Sequence, residues 1–156
     1  MMTYLLLKVA HIVSATLLFG TGLGSAFYLW RAHRSGDLPA IAAVSRQVVV
    51  ADWLFTTPAV ILQPLTGLWM AQIAGYRLTD TWIQLALALY LVAGGCWLPV
   101  VWLQIRIRDM TAAALASGMP LPARYHRHMA VWFLLGWPAF LSVIATFFLM
   151  VYRPAW

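Results

Sequence analysis

Apolar residues fall into four long runs, roughly 4–30, 48–73, 82–105 and 129–152. Each exceeds the about 20 residues that a helix needs to cross a hydrocarbon core of about 30 Å. The pattern predicts an all-α, polytopic membrane protein, a four-transmembrane-helix bundle forming one domain over residues 1–156. Aromatic rings with polar tips favour the headgroup boundary, and they bracket these runs. Tyr4 and Tyr28/Trp30 frame the first, Trp53 and Trp69 the second, Trp82 and Trp102 the third, and Trp132 and Tyr152 the fourth.

Polar residues inside the runs recur at helical spacing. Tyr4, Lys8, His11, Ala15, Leu18, Gly22 and Ser25 share one face of the first run, and Asp52, Thr56, Ala59, Gln63 and Gly67 one face of the second. Polar and ionisable groups facing lipid are costly, so both faces should turn inward as a polar seam between helices one and two. By the helical rise, His11 lies about 10 Å inside the outer boundary. Thr66, Tyr90 and Thr146 reach a similar depth. Asp52 falls near the other end of helix two, where Arg31 and Arg34 make a boundary ion pair the expected arrangement. The glycines of 20-GTGLGS-25 allow close approach of a helix or a flat ligand. Pro58, Pro64, Pro99 and Pro138 predict kinks and freed carbonyls.

Composition narrows the class. The chain is 63% hydrophobic and 9% charged. Soluble domains carry about 25% charged residues, so there is too little polar material here to cover a soluble surface. The net charge of +6 does not point to nucleic acid, because the basic residues lie between apolar runs, where topology and lipid headgroups account for them. Arg31, Arg34 and Arg46 occupy the first connection, and Arg106, Arg108, Arg124 and Arg127 the third. Lys8, Arg77 and Arg153 are left for the opposite side. The positive-inside rule therefore makes connections one and three cytoplasmic and places both termini outside. The N-terminus has no basic region ahead of its apolar stretch and reads as a retained first helix. The third connection is the longest, and its Ala-rich start extends helix three until Gly118, Pro120 and Pro122 break it. With one cysteine, Cys96, no disulfide forms within the chain, and a packing role suits that residue.

The candidate chemistry rests on His11, the one histidine well inside a run. A buried imidazole can ligate haem iron, ligate another metal or hydrogen-bond across helices. His33, His126 and His128 belong to basic, interfacial ends. A structural zinc site would need several converging Cys, His or carboxylate ligands, and a two-haem cytochrome would need four axial ligands at depth. Neither set is present in the sequence. Lys8, one turn outward, either snorkels to the headgroups or pairs with an anionic ligand. Met70 and Met150 form no thioether cluster by spacing.

The segment 8-KVAHIVSATLLFGTGLGSAFYLWR-31 resembles the first helix of HemJ-type protoporphyrinogen oxidases, and 57-TPAVILQPLTGLW-69 resembles their second; 82-WIQLAL-87 and 151-VYRP-154 are weaker echoes. End to end, through 31-RAHRSGD-37, 52-DWLFTTPAV-60 and 97-WLPVVWLQIR-106, the chain resembles a bacterial family of four-helix integral membrane proteins of unknown function. The HemJ resemblance implies a haem b-binding membrane protein that oxidises a porphyrinogen. His11 would be the axial ligand, with Gln63, Gln84, Tyr90 and Gly22 lining the pocket and Lys8 or Arg31 meeting its charge. The His-x-Lys that HemJ-type sequences carry in helix three is replaced by Gln84 and Ala86, which leaves haem binding as the part shared. The bacterial resemblance implies an inner-membrane location with periplasmic termini. Implied partners are the lipid bilayer, a porphyrin or quinone, and further copies of the chain, with no nucleic acid. Three functions stay open: a haem b redox or electron-transfer protein with or without oxidoreductase activity, a non-catalytic accessory or scaffold subunit, and a small metal-handling or transporter-like unit.

Overall fold

The computed structural model describes residues 2–153; Pro154, the last residue of the 151-VYRP-154 segment, lies outside them. Helix α1 spans Met2–Ser35 and α2 spans Leu38–Ala51. One π-helical turn, Asp52–Thr56, joins α2 to α3, Thr57–Ile73. Helices α4, Thr81–Ser117, and α5, Ala123–Tyr152, complete the bundle, and no strand occurs among the described residues. Four helical stretches are long and apolar enough to cross a membrane, with α2, the π turn and α3 acting as one stretch of 36 residues.

The helices overrun the expected spans, chiefly at the arginine-rich end. The first connection shrinks from 31–46 to Gly36 and Asp37. Asp37 explains why α2 starts so early: its side chain accepts from the Ala40 backbone N–H at 3.3 Å, with a proline in the first helical turn. Capping of this kind satisfies amides that have no partner within the helix. The new segment is amphipathic, burying Ile41, Ser45, Val48 and Val49. Helix α4 continues through its alanine-rich stretch to Gly118, which adopts φ +65° at the C-cap as the sequence anticipates.

Two helix pairs organise the bundle: α1 packs along α3, and α4 along α5. At the arginine-rich end α2 wedges against α1 and α4 and joins the pairs. There Leu29, Ile41, Ile107 and Tyr125, all at 0–1% exposure, form a core with Val48 and Trp132. Tyr125 also places its hydroxyl 3.0 Å from His33 Nδ1, tying the start of α5 to the end of α1. Toward the termini no equivalent of α2 exists among the described residues. Contact between α1 and α5 is thin, and between α3 and α4 thinner still.

Candidate functional site

The divergence of the two pairs leaves a cavity at the end that carries both termini. An inner space of about 210 Å³ opens into a wider cleft. Its walls come from α1 (Tyr4, Lys8, His11), α3 (Gln63, Gly67, Met70), α4 (Trp82, Ala86, Tyr90) and α5 (Thr146, Met150), with Arg153 beyond the end of α5. The anticipated seam between α1 and α3 forms one side of it.

His11 is fixed on that side by a chain of hydrogen bonds. Its Nδ1 lies 2.8 Å from Thr66 Oγ1. The Thr66 hydroxyl has the Leu62 carbonyl at 2.6 Å and the Gln63 carbonyl at 3.3 Å as acceptors. A hydroxyl has one proton to give, so while it goes to either carbonyl the His11–Thr66 bond takes its proton from Nδ1. In that tautomer the neutral imidazole carries its lone pair on Nε2. The His11 carbonyl accepts from Gln63 Nε2 at 2.7 Å and from Ser14 Oγ at 3.1 Å, while Gln63 Nε2 also lies 2.6 Å from Ser14 Oγ. Ring and backbone of the residue are thus both anchored, the ring to α3 and the carbonyl through Gln63.

Gly67 lets the imidazole lie against α3. A Cβ at this position would stand 3.1 Å from His11 Cε1, tighter than ordinary contact. Glycine thus lets the ring sit closer than a side chain here would without a small shift of the imidazole. The glycines of 20-GTGLGS-25, in contrast, have open space where a side chain would begin.

On the facing wall, the Tyr90 hydroxyl donates to the Val60 carbonyl, bridging α4 to α3. The Thr146 hydroxyl donates to the Ser142 carbonyl at 2.8 Å. At the outer end, Arg153 Nη1 donates to the Tyr76 hydroxyl at 3.1 Å. Its guanidinium lies 5.7 Å from the Tyr76 ring centroid and 5.9 Å from that of Trp82, in cation–π range. With Lys8, this places two cations on the cavity lining.

Of the residues singled out from sequence, the cavity gathers Lys8, His11, Gln63 and Tyr90. Gly22, Arg31 and Gln84 do not line it. Gln84 is exposed, while its neighbours Ile83 and Ala86 turn inward. Arg31 is exposed at the arginine-rich end, twenty residues and about 30 Å of helix from His11. Sequence reasoning missed the Arg153–Tyr76–Trp82 closure, although an arginine beside the last span and two aromatics near the 74–80 turn were its signal. It also missed that Met70 and Met150, 80 positions apart, line one cavity.

Asp52 departs from expectation as well. It makes no ion pair with Arg31 or Arg34; among the described residues the ion pair found is Arg108–Asp109, at 2.8 Å. The reason is orientation: the π turn directs Asp52 inward to 4% exposure, while neither arginine is buried. No group of three or more His, Cys, Asp or Glu side chains that could hold a metal occurs among the described residues.

No curated protein and no solved structure matches the chain. Neither the HemJ resemblance nor a bacterial origin finds support in these comparisons. Residues 5–154 do match one family model, described as a predicted integral membrane protein. The four membrane-length helices agree with that description, and the chain belongs to this family of predicted integral membrane proteins, DUF2269.

Proposed function

We propose that this protein binds haem b in the cavity beside His11 and serves as a membrane redox or electron-transfer protein. The observation carrying this reading is the bond between His11 Nδ1 and Thr66 Oγ1, which orients the imidazole on the cavity wall. Haem-ligating histidines coordinate through one ring nitrogen, and a hydrogen bond at the other fixes the tautomer and raises ligand basicity.

The donor set suits haem at three further points. Lys8 and Arg153 line the cavity and suit the carboxylates of a porphyrin. Ile12, Leu68, Ala71 and Leu87 provide apolar walls. Met70 and Met150 supply thioether sulfur, a donor type that accompanies histidine in some haem proteins. In volume, the inner 210 Å³ falls below the about 300–1,000 Å³ of small-molecule sites, so a macrocycle would extend into the wider cleft.

Bound haem would supply one-electron transfer. The chain's own contribution is narrower: Thr66 and Gln63 orient His11, Gly67 clears the face on which the ring lies, and the cations meet the ligand's charge. Porphyrinogen oxidation of HemJ type, or electron exchange with a quinone, is an extension beyond binding. The excess of arginine at one end supports an orientation with both termini on the outer face.

The test is spectral. Protein purified in mild detergent with haem supplied should show a Soret band that shifts on reduction and is abolished or displaced in His11→Ala. Absence of any band in the folded wild type would overturn the proposal and favour the scaffold reading, in which the seam only fixes α1 against α3. A band unchanged in His11→Ala would overturn the ligand assignment.

A further inference from the structure

Of the chain's acidic residues, Asp52 alone is buried, and it plays no part in the His11 cavity. Eleven residues, about 16 Å of helix, separate it from Gln63 at the cavity's inner edge. Thr56 and Gln104 direct their side chains at its carboxyl group. All three residues are 4% exposed. Yet Asp52 Oδ2, Thr56 Oγ1 and Gln104 Oε1 are each buried without a hydrogen-bond partner. Two polar side chains thus approach the carboxyl group without closing a full hydrogen bond to Oδ2. Buried polar groups are otherwise almost always paired.

No cation answers that need. On α1, residues 12–27 carry no titratable group, and Tyr28, Arg31 and Arg34 beyond them are exposed. On α2, Arg46 is exposed. On α4, Arg106 is exposed and lies over the Trp102 ring at 5.5 Å, and Arg108 pairs with Asp109. On α5, His128 bonds the Arg124 carbonyl at 2.7 Å. An ionised carboxylate here would be a buried charge without a counter-charge, which is strongly unfavourable. A proton on Asp52 removes that charge. Protonated Asp52 becomes a donor, and Gln104 Oε1 is an acceptor beside it. The π turn helps to place these groups: the Thr57 backbone N–H reaches back five residues to the Asp52 carbonyl, with Thr57 Oγ1 also donating to it at 2.9 Å. Single π turns of this kind recur at functional sites.

We infer that Asp52, with Thr56 and Gln104, is an intramembrane proton-binding site in the arginine-rich half of the bundle, separate from the His11 cavity. The bound form is the neutral acid; release leaves the carboxylate and one free proton. The inference does not depend on haem.

The sequence makes the experiment clean, because its four acidic residues are all aspartates: Asp37, Asp52, Asp80 and Asp109. The full chain, labelled with ¹³C at the aspartate carboxyl and reconstituted in lipid at pH 7, is examined by infrared spectroscopy. The expected result is one label-sensitive C=O band of a protonated acid, about a quarter of the aspartate carboxyl population, lost in Asp52→Asn. The Gln104→Leu variant should keep the band and raise its frequency, since its acceptor is gone; this holds the test open if Asp52→Asn fails to fold. A folded wild type with all four carboxyls ionised would overturn the inference. So would a band that appears in choline buffer but vanishes with sodium, which would make the site one for a metal cation.

Discussion

The two ends of this bundle are built from the same helices but to different standards of packing. At the arginine-rich end a fifth helical segment, α2, fills the space between the pairs, and Leu29, Ile107 and Tyr125 are fully buried. At the terminal end the pairs part, Ile83 and the small Ala71 and Ala86 are buried, and polar groups line a cavity. In a bilayer, apolar burial between helices gives little driving force, because lipid is as apolar as leucine. Association then relies on close packing and interhelical hydrogen bonds. The packed end uses the first and the open end the second, which leaves the open end free to hold a ligand.

The difference should be measurable. Ile107→Ala, in the dense end, should cost about 2–5 kcal/mol of stability by its loss of packed volume, read as a lower unfolding midpoint in mixed micelles. A cost under about 0.5 kcal/mol would mean that this end is no better packed than the other. Thr66→Val leaves the fold in place but removes the bond to His11 Nδ1, and should weaken haem binding about 10–100-fold, as loss of such supporting bonds does. Unchanged affinity would show that the tautomer is not set there. Gly67→Ala brings a methyl within 3.1 Å of His11 Cε1, so the ring must shift by a few tenths of an ångström; a displaced Soret band with little change in stability is expected. Leu91→Ala, on a lipid-facing side chain 71% exposed, should change stability by less than about 0.5 kcal/mol and leave the spectrum alone.

The open end is the more legible in sequence. Helical spacing alone aligns Lys8, His11 and Gln63, because a polar residue within an apolar run has few places to go. The packed end is less so. The 38–47 segment has the look of a connection, because Arg46 and the Ser/Gly/Asp/Pro cluster resemble loop composition, whereas Asp37 and the following proline begin a helix. Proximity along the chain pairs Asp52 with arginines, and the π turn that rotates it inward has no signature in hydropathy. Gln84 and Arg31 come from resemblance rather than from spacing, and the geometry places neither beside His11.

The parting of the helix pairs has a consequence for how binding here is to be quantified. Ile12, 54% exposed, and Leu68, 37% exposed, belong both to the cavity lining and to the membrane-spanning surface, so the cleft opens sideways into hydrocarbon. An apolar ligand then reaches it by diffusing within the leaflet. The concentration that governs occupancy is the ligand's mole fraction in lipid or detergent, and diluting the micelles at constant total ligand should raise saturation.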